Sequence, residues 1–244
     1  MPMKTVRLRR SRPSGFAIAL ALALTMLFVY AVSLSSAPKK AEKASAQAHM
    51  QQDIHIDAHT ARFQVYAWVQ DGYAARAEGA NCYESGGAGW LMEENGCFAV
   101  IFDAAQASDG NENAGNIIVR HTGGVTLQLS GRADQVTAVA DGLQFLRSMA
   151  VETGHLAASL ERSNDVSGVR ALMGVYKTQA DHTRAVLEKA DHPAAALIAD
   201  ALKNTSARID AAFADTCPAK MRFFHTAANA EWVALAESLK DLCG

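Results

Sequence analysis

Phe63-Gln-Val-Tyr-Ala-Trp-Val-Gln-Asp-Gly72 alternates without a break: Phe63, Val65, Ala67 and Val69 fall on one side of an extended chain, and Gln64, Tyr66, Trp68 and Gln70 on the other. Successive side chains of a strand point to opposite faces, so this stretch is predicted to be a strand with one buried face. Asp71-Gly72 ends it with turn-forming residues. Tyr73 to about Tyr83 is Ala-rich and helix-compatible, and Gly86-Gly87 closes it. Ala88 to Glu94 reads as a second strand, Asn95-Gly96 as a tight hairpin turn and Cys97 to Ala104 as a third strand. The polar stretch Gln106 to Asn116 is expected to form a short second helix, against the low propensity of its glycines and asparagines. Val125-Thr-Leu-Gln-Leu129 alternates again, with Thr126 and Gln128 opposite the three aliphatics, and supplies the fourth strand. The resulting order is β-α-β-β-α-β. In that split arrangement a four-stranded sheet packs two helices on one face and leaves the other open.

Beyond Gly131 the period changes. Val139, Leu143, Leu146, Ala150, Thr153, Ala157 and Leu160 repeat at alternating steps of four and three, as do Met221, His225, Ala228, Trp232, Leu235, Leu239 and Leu242. A narrow apolar seam of this kind belongs to helices packed nearly side by side. Two more helices fit between, about Val166 to Ala190 and Pro193 to Ala214, with Pro193 and Pro218 suited to first helical positions and Asp191 to a cap. Gly154 marks a point where the first helix would bend or divide. The predicted fold class is α+β: a split four-stranded sheet over residues 61–130, then an antiparallel helical bundle over residues 131–244.

The chain has 244 residues, enough for more than one compact unit. Its net charge of -2 gives no reason to expect nucleic acid as a partner. Phe16 to Leu34 contains no charged residue and approaches the roughly 20 apolar residues that cross a bilayer as a helix. Lys4, Arg7, Arg9, Arg10 and Arg12 precede it with no acid among them, whereas Lys39, Lys40 and Lys43 behind it are partly offset by Glu42. The positive-inside bias leaves residues 1–15 as a cytoplasmic basic tail and the rest outside, with the lipid bilayer engaged by the N-terminal helix. The competing reading is a cleavable signal peptide ending near Ser35-Ser36-Ala37; the run exceeds a typical h-region, and Pro38 follows the best cleavage position. Both readings place the folded part outside the cytoplasm.

Residues 35–60 are rich in Ala, Ser, Lys and Gln and are expected to be a flexible tether. Asp53, His55, Asp57 and His59 alternate within it, but with no Cys or further His nearby the row reads as solvated linker, and no metal or other cofactor is expected. Four cysteines are too few for a disulfide scaffold in a chain of this length. If Pro218 to Leu242 is one helix, Cys217 and Cys243 sit about 35 to 40 Å apart at 1.5 Å per residue, far beyond disulfide reach, while Cys82 with Cys97 stays open. Catalytic signatures are missing from the sequence: there is no H-E-x-x-H, no G-x-S-x-G and no Cys/His metal spacing. His121 and His155 stand alone, and Asp181-His182 and Asp191-His192 fall at helix surfaces or ends, so no enzyme is expected.

Val69-Gln70-Asp71-Gly72-Tyr73, the alanines after it, Gly86-Gly87-Ala88-Gly89-Trp90 and the hairpin into Cys97-Phe98-Ala99-Val100-Ile101-Phe102 together resemble the SPOR (sporulation-related repeat) family, over about Ala61 to Ser130. The third strand departs from the family in lacking the basic residue before its central valine. The resemblance implies binding of peptidoglycan glycan strands stripped of stem peptides, on the open sheet face, in cell division or sporulation. The residues themselves lead to a compatible place. A sheet face carrying Tyr66 and Trp68 beside Gln64, Gln70, Thr126 and Gln128 offers flat apolar platforms among neutral hydrogen-bonding groups, which suits a sugar polymer. The expected peptidoglycan-binding residues are Tyr66, Trp68, Gln70, Trp90, Ile101 and Gln128. The alternative is an interaction scaffold: the C-terminal helices cover Tyr66 and Trp68, and the bundle docks an envelope protein partner. Exposure of those two rings separates the readings.

Overall fold

A computed structural model describes residues 49–106 and 116–243. The elements run β1 (His49–Ile56), β2 (His59–Val69), α1 (Gly72–Glu84), β3 (Trp90–Glu94), β4 (Cys97–Gln106), β5 (Ile117–Thr122), β6 (Val125–Arg132), α2 (Ala133–Ser163), α3 (Val166–Leu187), α4 (Pro193–Ala214) and α5 (Pro218–Cys243). The fold is α+β, with antiparallel strands and five helices among the described residues. Local chemistry sets the boundaries. Asp71 caps α1 by accepting from the backbone N–H of Tyr73 and Ala74 at 3.0 and 2.9 Å. Asn95 and Gly96, both at positive φ, make the tight turn from β3 to β4. Pro193 opens α4, but its cap is His192, whose Nδ1 accepts from Ala194 N–H at 3.1 Å, and not Asp191 as the sequence suggests.

The main sheet has the order β3-β4-β2-β5, and β1 pairs separately with β6. The fourth strand of the main sheet is therefore Ile117–Thr122, not Val125 to Leu129. Pairing explains the exchange. His59 lies opposite Thr122 and Ile56 opposite Val125, so one antiparallel ladder runs through both pairs in unbroken register. The ribbon changes sheet at Asp57-Ala58 and Gly123-Gly124, which separate its two arms. The arm made of β1 and β6 turns its aliphatic side, Ile56, Val125, Leu127 and Leu129, into the core of the bundle. The expected tether is thus a strand from His49 onward: Met50, Ile54 and Ile56 face the bundle, and the row Asp53, His55, Asp57 is its wet side. On that side Arg147 donates to Asp57 at 2.7 Å and His55 lies 3.2 Å from the Thr126 hydroxyl. The expected membrane helix, and all but the ends of the expected second helix, lie outside the described residues. No helix among those described is long and apolar enough to cross a membrane.

The bundle seam follows the sequence pattern closely. Val139, Leu143, Leu146, Ala150, Thr153, Ala157 and Leu160 are all buried, as are Met221 through Leu239 of the second series; only Leu242 is exposed. Helix α2 runs through Gly154 undivided. A Cβ there would sit 3.0 Å from the His225 ring, so the missing side chain makes room for a histidine of α5. Helix α5 is buried on every side from Phe224 to Asn229, with the bundle against one flank and the main sheet against the other. Phe63, Val65, Ile101 and Ile118 of the sheet form a small core with Val233 of α5. The sheet face of Phe63 and Val65, expected to be buried, is covered by the last helix.

Candidate functional site

Strand β2 carries a bulge where the sequence alternation runs on unbroken. Val65 pairs with Ile101 and Ala67 with Val100, which leaves Tyr66 unpaired opposite β4. One extra residue turns every later side chain to the other face. Ala67 and Val69 therefore leave the side of Phe63 and Val65 and lie opposite Val100 and Phe98. That is the face of α1, where a Cβ on Gly72 would touch the Phe98 ring at 3.5 Å. Trp68 moves the other way and stands opposite Ala99, in a row with Met92 on the side that α5 covers farther up. Strand β5 stops opposite Gln64, so among the described residues the end of β2 has one strand neighbour instead of two.

The consequence is a strip of exposed aromatic surface. Tyr66 is 43% exposed, Trp68 48% and Tyr73 83%. Gln70 is exposed two residues beyond Trp68, and Gln64 is exposed on the opposite face of the strand. Of the six residues expected to form the site, Tyr66, Trp68 and Gln70 are exposed at the end of β2 and just beyond it. Ile101 is fully buried under α5 and cannot meet a ligand. Trp90 is half-buried, with Phe223 edge-on at 5.3 Å and the Arg208 guanidinium 5.7 Å over its ring. Gln128 is exposed but lies on β6 opposite Asp53, in the other sheet. Tyr73 was missing from the expectation. Its signal is in the helix pattern: Ala75, Gly79 and Cys82 make the buried stripe of α1, and a tyrosine off that stripe has nowhere to bury itself.

The sheet and bundle meet at a polar knot. His225, on α5, has Nε2 3.0 Å from the Ala104 carbonyl of β4, which fixes a proton on that nitrogen, and Nδ1 2.9 Å from the Thr153 hydroxyl of α2. Asn229 donates to the Ala150 carbonyl at 2.7 Å and lies 3.4 Å from Nε2 of His59. Burial pushes the His225 pKa down to about 4; the Ala104 carbonyl opposes the shift and His155 adds to it. A neutral, doubly bonded imidazole inside the core is a structural joint. His121 bonds the Thr60 hydroxyl at 2.7 Å, and His155 is exposed on α2. Asp181 is engaged by Ser206, Lys177 and Arg184 between α3 and α4. Cys82, Cys97 and Cys217 are free thiols, and no group of three metal-ligating side chains occurs among the described residues. No family model, curated protein or solved structure matches the chain.

Proposed function

We propose that the chain is a membrane-anchored, extracytoplasmic protein of SPOR-like build that binds peptidoglycan glycan strands in the envelope remodelling of cell division or sporulation. The observation that carries this reading is the exposure of Tyr66 and Trp68, 43% and 48%, on a strand whose other half is locked into a core. A sugar ring presents C–H groups on its faces and hydroxyls at its rim; an exposed indole or phenol stacks on the first while Gln70 bonds the second. The strand order supports the same reading. With the β1–β6 arm set aside, the remaining sequence β2-α1-β3-β4-β5 places the first strand between the third and the last, as in a split β-α-β-β-α-β unit. Phe16 to Leu34 supplies the anchor. The ligand surface is a strip and not a whole face, because α5 occupies the rest.

The packing of α5 on Phe63, Val65 and Ile101 underlies a second reading, in which the protein is an envelope scaffold whose bundle docks a protein partner and the sheet is only structural. One experiment divides them. The full-length chain is incubated with purified sacculi before and after an amidase removes the stem peptides, and co-sedimentation is measured. Binding that rises on stripped sacculi and falls in Trp68→Ala supports the glycan reading. Absence of binding to both preparations ends it and leaves the scaffold.

A further inference from the structure

A shallow depression lies where α1 and the first turn of α5 stand over the start of β3, one helical turn along α1 from Tyr73. Its volume is about 400 Å³. Helix α1 contributes Arg76, Ala80 and Tyr83, which its 3.6-residue period places on one stripe; β3 contributes Leu91, and α5 contributes Lys220 and Phe223. The close seating of α1 on the approach to β3 depends on Gly89, at φ +64, where a Cβ would fall 2.3 Å from the Gly79 carbonyl oxygen.

The charge of the cleft is one-sided. Arg76 and Lys220 line it, no Asp or Glu does, and neither cation has an ion-pair partner among the described residues. By contrast Arg120, Arg147, Arg208 and Arg222 each meet a carboxylate. Lys220 is held 5.8 Å from the Tyr83 ring and 5.7 Å from that of Phe223, contacts that fix an ammonium without cancelling its charge. The nearby acid, Asp215, is engaged at the rim, where the Tyr83 hydroxyl donates to it at 3.2 Å. Two unpaired cations over apolar walls, in a volume typical of small-molecule sites, define a complementary shape and sign. We propose that this cleft binds a small carboxylate with an apolar body, its head between Arg76 and Lys220 and its body against Leu91, Tyr83 and Phe223.

The test uses phenylacetate and its neutral isostere phenylacetamide as probes of the full-length chain, followed by saturation-transfer NMR and titration. Phenylacetate is expected to bind about tenfold more tightly than the amide, the cost of losing a charge-assisted bond. Lys220→Met, and separately Arg76→Met at a solvent-exposed position that leaves the fold intact, should each weaken the acid by about tenfold and leave the amide unchanged. Equal affinity for acid and amide overturns the proposal. So does no saturation transfer to phenylacetate up to about 10 mM, weaker than ordinary fragment binding, or full retention of binding in both variants. Lys220 lies on α5, away from Tyr66, Trp68 and Tyr73, so sacculus binding of the Lys220→Met chain reports separately on the glycan reading.

Discussion

Along β2, the residues from Ala61 to Val65 lie near or between two strand neighbours and beneath α5, whereas those from Tyr66 to Val69 keep only β4. Ala61 and Phe63 are 0% exposed; Trp68, a few residues on, is 48% exposed. Composition does not separate the two halves, since both alternate large apolar residues with polar or aromatic ones. Neighbours do. Where β5 and α5 are present, a ring becomes core; where they stop, a ring of the same kind becomes surface available to a ligand. The largest test of that contrast is Phe63→Ala, expected to cost about 3 to 5 kcal/mol because a fully buried ring leaves a cavity between sheet and helix. Chemical denaturation of the full-length chain measures it. A loss under about 1 kcal/mol would show that α5 does not hold the covered half.

The covered half should also be the acid-sensitive one. His225 ties Ala104, the partner of Phe63, to the bundle, and its pKa of about 4 lies below the usual histidine value of 6.5. Between those values the unfolded chain binds a proton that the folded chain excludes, so stability is full above pH 6.5 and falls as pH drops toward 4. The gap of 2.5 units corresponds to about 3 kcal/mol. His59, lowered by burial, acts in the same direction, while Asp103 and Asp141, raised by burial, oppose it at the acidic end of the window. Unfolding free energies from pH 7.5 to 4.5 should therefore decline, and His225→Gln should flatten the slope. A variant with the wild-type slope would assign the acid sensitivity to other groups. Gly154→Ala probes the same joint sterically. Its Cβ would press the His225 ring at 3.0 Å, and the ring is held on both nitrogens, so about 1 to 3 kcal/mol of destabilisation is expected.

The bundle was legible because its signal is local and redundant: two seven-residue seams fix the first and last helices, and Pro193 and Pro218 start α4 and α5 where expected. The hairpin from β3 to β4 was equally plain from Asn95-Gly96. What sequence reasoning missed depends on long-range pairing. His49–Ile56 has too few aliphatics to read as a strand alone, and becomes one because β6 completes its ladder and the bundle receives Ile54 and Ile56. The bulge at Tyr66 leaves no mark in an alternation that continues smoothly, yet it decides which rings face α5. Hence the exposure of Tyr66, Trp68 and Gln70 could be expected from sequence, whereas the burial of Ile101, the packing of Trp90 on Phe223 and the separate sheet of Gln128 could not.

The smallest expected effect on the fold belongs to the exposed half, and it is the most informative for function. Trp68 is on the bulged side of β2 with Ala99 as its partner, and about half of its surface already meets water. Truncation to Ala removes only the buried half of the ring and opens no enclosed cavity, so the fold should lose about 1 to 2 kcal/mol, less than Phe63→Ala. Binding is a different matter. If a glycan strand stacks on the indole, loss of that platform should weaken association by about 1 to 3 kcal/mol, and Gln70→Ala by about 0.5 to 1.5 kcal/mol for one neutral hydrogen bond. Sacculus binding and thermal stability measured together on both variants separate platform from core. A Trp68→Ala chain that melts early and binds in proportion to its folded fraction would make the distal half of β2 core like the proximal half. One that folds normally and still binds sacculi fully would move the glycan site off the strip.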